Sequence, residues 1–495
     1  MRDQVHVAIL WHMHQPWYLL PEGREAVLPW TRLRAAKDYY DMAEHLRRTG
    51  FPCTVNFTPS LTEQLRLLAA GEATDPYTPD GPERAQRELR EGLIPLPLPR
   101  RGLPVPTSFS SAEEFWAWFH LAWTAQTVLE EDRRVPPLWA AAPPPAALAE
   151  LRALQGELVR AVLPLYRGLG RSGQVELSTT PFYHPILPLL LDSAVAKRAR
   201  PGDEIPPFSA PEDGRAHAAQ ALEHHASLFG EKPVGMWPAE AAVSPEALAL
   251  LAELGLLWVA TDGEILARTL GRAPTPAELY RPWRFRAGSP EIFVFFRDPL
   301  LSNLVSFEYG RWPWEKAVED LVLRVQRGTA GWNERVPPLV LIALDGENAW
   351  DHYERNGRPF LLTLYRALAE HFLPITLGEY LRRYGLDGRA GDLTTLWSGS
   401  WIDADFRTWI GEPLQNQAWG ALAAVREAIR AHPDPLVQGN ARRHAYVAEG
   451  SDWFWWRSSR HRTPLAPHFA RIFRAHLAWA WRALGREPPR ELETL

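Results

Sequence analysis

Two histidines stand two residues apart at the end of an apolar run, in "VHVAILWHMHQPWYLL" (5–20). On a strand, positions i and i+2 point to one face, so His12 and His14 present their imidazoles together. Two chemistries use such a pair. A zinc hydrolase on a barrel takes both rings as ligands and needs more histidines and a late aspartate, roles open to His184 and Asp345. A sugar site takes the same rings as hydrogen-bond partners of hydroxyl groups.

Carboxylates favour the second chemistry. In "GMWPAEAAVS" (235–244), Glu240 follows a strand-like segment and precedes a helix start. In "IFVFFRDPLLSN" (292–303), five apolar residues lead into Arg297 and Asp298. An aspartate at the mouth of a buried strand is costly unless paired or functional; an Arg297–Asp298 pair capping a loop is the structural alternative. Together Glu240 and Asp298 suggest two carboxyl groups flanking a glycosidic bond, one ionised and one protonated. A third acidic group, Asp345, Glu347 and Asp351, lies in "LVLIALDGENAWDHYERNG" (339–357). It suits sugar hydroxyls, and its spacing does not match an EF-hand calcium loop. In "EGSDWFWWRSSRH" (449–461), Asp452 adjoins three tryptophans and a phenylalanine. Four consecutive aromatics cannot all face inward on one helix, so at least one should border a cleft.

These residues need elements to hold them. Short apolar runs at 5–14, 53–60, 174–185, 234–240, 256–262, 292–298 and 339–348 each end in polar residues. Helical patterns lie between them, at 36–48, 214–229 and 244–255, the last opening with Ser244 as N-cap and Pro245 at N1. Alternating strands and helices predict a parallel β/α sheet or barrel. Polar residues gathered at strand C-terminal ends favour a barrel, whose active site lies on that face. The Pro/Ala-rich stretches 91–106 and 133–151 read as loop insertions. After 385 the strand pattern stops, so residues 1–385 form the expected barrel domain and 386–495 a helical domain packed on it.

Composition narrows the partners. The chain has 495 residues and a net charge of −5, with no long block of one sign. Neither a nucleic-acid surface nor a membrane span is expected. The single cysteine, Cys53, excludes an intramolecular disulfide and a thiolate zinc cluster. Residues 4–21 hold histidine, glutamine and proline, unlike a signal peptide, which predicts a cytoplasmic protein. Four lysines against fifty arginines fit a GC-rich genome. The 46 prolines, about twice the usual ~5% share, also fit a thermophile. The 23 tryptophans supply flat apolar faces with one N–H each, which suit sugar rings as well as a large core.

Taken in order, "WHMHQPWY" (11–18), "GQVELSTTPFYHPILPLL" (173–190), "GMWPAE" (235–240), "FFRDPLLS" (295–302) and "LDGENAW" (344–350) resemble the conserved regions of glycoside hydrolase family 57. "NFTPSLTEQL" (56–65) and "SDWFWW" (451–456) fit as well, the latter resembling amylopullulanase and α-amylase-like members. The resemblance implies an α/β fold: an incomplete (β/α)7 barrel followed by a C-terminal helical region. It implies retaining cleavage of α-glucans such as starch, pullulan, glycogen or maltooligosaccharides, without metal or organic cofactor. By position it makes Glu240 the nucleophile and Asp298 the general acid/base. It places His12, His14, His184, Trp237, Asp345 and Glu347 in the donor subsite; Gln15, Trp17, Arg297, Trp350, Asp452 and Trp453 are further expected substrate contacts. Asn303 and the Arg457–Arg460 segment depart from the acidic residues usual at those places. The "HQP" version of the first region differs from the branching enzymes' style. A 4-α-glucanotransferase is the alternative within the family, and a metal-dependent deacetylase or amidohydrolase the alternative outside it.

Overall fold

The computed structural model describes residues 5–21, 24–75, 111–135, 147–286, 290–385 and 390–495. The expected 91–106 insertion, most of the 133–151 insertion and the start of the expected helical domain lie outside them. The fold is mixed α/β, built on one ten-stranded sheet. Its strands are β1 (His6–Met13), β2 (Cys53–Phe57), β3 (Val175–Thr179), β4 (Gly235–Met236), β5 (Trp258–Asp262), β6 (Trp283–Phe285), β7 (Ile292–Arg297), β8 (Leu339–Asp345), β9 (Leu373–Pro374) and β10 (Gly391–Leu393). All the apolar runs singled out above contain one of these strands. The ladder runs β10-β6-β7-β5-β4-β3-β2-β1-β8, with β9 beside β1. From β8 through β1 to β5 and β7 every pairing is parallel, and β6 runs antiparallel to β7. Between β7 and β8, the Asp298 N–H donates to Leu341 O at 2.8 Å.

Both faces of the parallel run are covered, which is why its strands read as continuous apolar runs. One core lies inside the curve of the sheet. It contains Ala8 and Leu10 of β1, Trp258 and Ala260 of β5, Phe293 and Phe295 of β7, and Leu339, Leu341 and Ala343 of β8. The alternate residues face the surrounding helices: Val7, Ile9, Trp11, Met13, Val340, Ile342 and Leu344 in one cluster, Ile292, Val294 and Phe296 in another. Gly235 admits the indole of Trp258 to the inner core; a Cβ there would lie 1.7 Å from it.

The helices follow their signals. Ser244 accepts from the Ala247 N–H at the start of Pro245–Glu253, a cap worth about 1 kcal/mol. The expected 36–48 helix begins as a π-turn, Ala35–Tyr39, before the α-helix Tyr40–Thr49. That turn buries Lys37, whose ammonium binds Asp38 (2.7 Å), Asp351 (2.8 Å) and Asn356 (2.7 Å). Towards the C-terminus lie helices Pro413–Ala431, Pro435–Ala448, Ser451–Arg457 and Ala466–Ala483. They share a core with Tyr18, Leu19, Leu189, Ala239 and Ala242 of the segments that connect the strands. No helix among the described residues is long and apolar enough to cross a membrane.

Candidate active site

Strand alternation decides which polar residues reach the interior. Continuing the inner face of each strand to its C-terminal end leads to His12 on β1, Asn56 on β2, Ser178 on β3, Asp262 on β5, Arg297 on β7 and Asp345 on β8. The register puts His12 beside both Asp345 and Asn56, Asn56 beside Ser178, and Asp262 beside Arg297. Asp298, one residue beyond Arg297, belongs to the opposite face. Its Oδ1 accepts from the Leu301 N–H (3.0 Å) as N-cap of Pro299–Asn303, and its Oδ2 from the Tyr280 hydroxyl (2.7 Å). Tyr280 sits in the outer core. Both oxygens of Asp298, the expected general acid/base, are thus engaged away from the inner face.

Glu240 is set by an unusual backbone. β4 is two residues long, and a tight turn, Ala239–Ala241, follows it. Glu240 (φ 57°) and Ala241 (φ 51°) are both left-handed, which costs about 1–2 kcal/mol per non-glycine residue. Cross-links hold the turn. Ala241 N–H donates to Pro238 O (2.8 Å), Trp401 N–H to Glu240 O (3.1 Å), and the Thr261 hydroxyl to Ala241 O (2.6 Å). Such strain held by its surroundings is a mark of functional sites. The Trp401 indole N–H donates to Glu240 Oε2 at 2.9 Å, and His184 Nδ1 lies 4.0 Å from Oε1. The side chain is 14% exposed. Burial pushes the Glu240 carboxyl up to about 7; Asp345 and Asp452 add to the rise, while the Trp401 N–H and His14 oppose it.

The imidazoles form a stack. His14 and His184 lie 3.8 Å apart at 16°, and His12 sits 5.3 Å from His184. Asn56 fixes the His12 tautomer. Its amide nitrogen donates to Ser178 Oγ (3.0 Å) and Thr179 O (2.6 Å), so its Oδ1 accepts from His12 Nδ1 at 2.7 Å. His12 is neutral, with burial, then His14, lowering it to about 3. His184 also has a left-handed backbone (φ 59°) and is lowered well below the imidazole range by burial and its two ring neighbours. His14 differs. Burial works against its charge, but Asp452 at 2.8 Å from Nε2 outweighs it and the pKa is raised, with Glu240 and Asp345 contributing. His14, His184 and Asp452 also form a group, found among the described residues, whose ligand-type atoms all lie within 4.8 Å of one another.

Other expected contacts fall into two groups. Arg297 donates to Asp262 Oδ2 (2.5 Å) and Ala343 O (3.0 Å), and its guanidinium covers the Trp401 ring at 5.0 Å. It does not pair with Asp298, and Asn303 is within 3.4 Å of its second amino group. Trp237 packs edge-on to Trp401 (5.3 Å) and near His12 (6.0 Å). Glu347 is buried with Oε2 unpartnered among the described residues; burial, then Asp345, holds its carboxyl well above the usual range. The rest have structural surroundings. Gln15 bonds the Tyr39 and Tyr18 hydroxyls. Trp17 is half-buried, edge-on to Tyr183. Trp350 is buried in the outer core, its N–H on Gly346 O. Trp453 stacks on Phe473 within the helical region. Asp351 is an ion-pair anchor: burial opposes its charge, but Arg34 and Lys37 hold it well below the usual carboxylate range.

Sequence reasoning missed Asn56, Asp262, Trp401 and Ser451 as site residues. Asn56 and Asp262 end strands that were identified, so the alternation rule could have found them. Trp401 had no local signal. It arrives because Val243 and Gly399 pair their backbones (2.9 and 3.1 Å), bringing a distant loop beside Glu240.

Residues 8–388 match the profile described as glycosyl hydrolase family 57. No curated protein sequence matches the chain. Among solved structures it is similar to the GH57-type branching enzyme of Pyrococcus horikoshii, at 16% identity and TM-score 0.65, over 97% of this chain and 89% of that one. It is also similar to the 4-alpha-glucanotransferase of Thermococcus litoralis (17%, TM-score 0.58, 97% and 60% covered). A third is the alpha-amylase AmyC of Thermotoga maritima (15%, TM-score 0.58, 99% and 96% covered). At these identities the structures speak for the fold, and the profile, spanning most of the chain, carries the assignment: this protein belongs to glycosyl hydrolase family 57.

Proposed function

We propose that the protein is a retaining enzyme on α-glucans that cleaves α-1,4-glucosidic bonds, with Glu240 as nucleophile and Asp345, in place of Asp298, as general acid/base. The sheet is read as the wall of an incomplete seven-unit barrel with its site at the strands' C-terminal ends. The observation that carries the pairing is the inward position of Asp345 on β8, in register with His12, together with its electrostatic contact with Glu240. Asp345 adds to the rise of the Glu240 carboxyl to about 7, and two carboxyl groups in such contact can share a proton near neutral pH, as double displacement requires. The partner of Glu240 Oε2 assigns the roles. An indole N–H can only donate, so it favours the carboxylate form and leaves the proton to Asp345.

In the first step a Glu240 oxygen forms a bond to the anomeric carbon. The glycosidic C–O bond breaks, and Asp345 gives its proton to the departing glucan oxygen. The ionised Asp345 then takes a proton from water, whose oxygen attacks the same carbon and releases Glu240. A sugar 4-hydroxyl in place of water gives 4-α-glucan transfer from the same intermediate. Neutral His12 offers Nε2 as an acceptor for a hydroxyl of the bound sugar.

Azide tests the assignment on maltooligosaccharides carrying a good leaving group. Glu240→Gly with azide should form the β-glucosyl azide, because azide replaces the nucleophile on the opposite face. Asp345→Ala should accumulate glucosyl-enzyme and yield the α-glucosyl azide. Wild-type turnover by Asp345→Ala, or an α-azide from Glu240→Gly, refutes it.

A further inference from the structure

The junction of helices Pro435–Ala448 and Ser451–Arg457, residues 449–452, places three of its four residues on three histidines of the sheet domain. Glu449 Oε2 meets His217 Nε2 at 2.9 Å, Ser451 Oγ meets His184 Nδ1 at 2.8 Å, and Asp452 Oδ1 meets His14 Nε2 at 2.8 Å. The fourth, Gly450, is pressed against the sheet domain's backbone. A Cβ there would lie 2.6 Å from Tyr183 O, closer than Cβ atoms come. Ser451 N–H donates to His184 O at 3.0 Å, so the turn grips the left-handed His184 by backbone and side chain together.

The consequence is sharpest at His14. Beyond the last residue of β1 no ladder hydrogen bonds orient it. Its ring is fixed instead by Thr58 Oγ1 on Nδ1 (3.2 Å), by Asp452 on Nε2, and by the face of His184. A carboxylate at Nε2 and a hydroxyl oxygen at Nδ1 give each ring nitrogen an acceptor, the pattern an imidazolium needs. His184 and His12, stacked beside it, are the neutral rings. The groups facing His14 are therefore the carboxyl groups of Asp452, Glu240 and Asp345, the two neutral imidazoles, and Glu347, which accepts the His14 backbone N–H.

We propose that Asp452 is a positioning residue for catalysis: with Ser451 it holds His14 as a cation in a fixed plane against His184, so that the C-terminal helical region completes the site around Glu240. The role rests on the reading of Glu240 as nucleophile, and the pairing itself does not. Both charges of the pair stand near Glu240 and oppose each other there, His14 lowering and Asp452 raising its pKa. The main effect of the pair is thus the placement of the His14 cation beside the reacting carbon, not a change in the nucleophile's ionisation.

The test uses the full-length enzyme with 15N-labelled histidine, the His14 signals being identified by their loss in His14→Gln. In the wild type both His14 nitrogens should stay protonated to a higher pH than in Asp452→Asn, where one should lose its proton first. On maltooligosaccharides Asp452→Asn should lower kcat by about 100-fold, the scale of a misplaced group, with KM within about 3-fold. Asp452→Glu should restore part of kcat and the His14 charge, with melting temperature unchanged in both. A rise in KM with kcat intact makes Asp452 a sugar ligand and overturns the proposal. So does a His14 signal indifferent to Asp452, or activity lost to a chelator and restored by zinc, which would make His14, His184 and Asp452 a metal site. The NMR result holds whatever the nucleophile is, and azide rescue tests Glu240 alone, so the two readings fail separately.

Discussion

Glu240→Gln should make the protein more stable while abolishing turnover. Glu240 is 14% exposed, and its carboxyl rises from 4.5 to about 7, chiefly through burial. Because the folded pKa lies above the unfolded one, folding takes up a proton between about pH 4.5 and 7. The group's contribution is thus most favourable below pH 4.5 and is lost as pH rises through 7. Above 7 the ionised side chain weakens the fold by about 3 kcal/mol, at about 1.4 kcal/mol per pH unit. Glutamine is neutral at every pH, keeps an oxygen for the Trp401 N–H and preserves the volume. For 495 residues the entropy of unfolding is about 1 kcal/mol/K, so the gain is about 3 °C in Tm. The assay is calorimetry at one scan rate, wild type against Glu240→Gln, at pH 8 and pH 5. The gain should be full at pH 8 and should shrink by more than half at pH 5. An equal gain at both values, or a loss at pH 8, refutes the claim that burial of this charge is a cost borne by the fold.

Asp298→Asn should keep kcat within about 3-fold of wild type, since the amide still caps Pro299–Asn303, at a stability loss of about 1 kcal/mol; a loss matching that of Asp345→Asn would restore Asp298 to the chemistry. Because the nucleophile must be ionised, kcat/KM should fall as pH drops through about 7; a profile falling instead as pH rises through 7 would make Glu240 the acid. Trp401→Phe removes the N–H that favours the Glu240 carboxylate and should move that acid limb up by about one pH unit, read from the same profile; an unmoved limb would show the indole to be packing only.

The strand pattern was legible because each buried run ends abruptly in polar residues. What the runs hid was their phase. In "IFVFFRD" and "LVLIALD" every strand position before the last is apolar, because helices cover one face and the inner core the other. Without alternation nothing in the sequence says whether Arg297 or Asp298 points inward, and the choice of Asp298 rested on its place at the mouth of a buried strand and on the positional match to the family. The inner residues settle it: Phe293 and Phe295 lead to Arg297, and Leu341 and Ala343 to Asp345. His12 was easier, since His14 repeats the polar phase two residues on. The same logic explains Trp350 and Trp453. Tryptophan abundance suited sugars and a large core alike; both rings fill cores, and the tryptophan that touches Glu240, Trp401, lies in a loop whose partner is sequence-distant.

In the proposed mechanism Glu240 and Asp345 need a cation nearby and no other anion unpaired, and the sequence supplies this from opposite ends of the chain. His14 alone, at the rim of β1, would be neutral, since burial disfavours its charge. Asp452 alone would be one more carboxylate beside two others. Joined at 2.8 Å each makes the other tolerable, and the pair adds no net charge to a site that must hold one proton between two acids. That is a physical reason for the C-terminal region to be fastened at Glu449, Ser451 and Asp452 rather than by apolar packing alone. Packing in the shared core can slide by fractions of an ångström with little loss, whereas three hydrogen bonds to three buried histidines fix the turn in position and angle. In the proposed mechanism the two parts of the chain behave as one catalytic unit: the sheet carries the reacting carboxyl groups, and the helical region sets the charge that stands beside them.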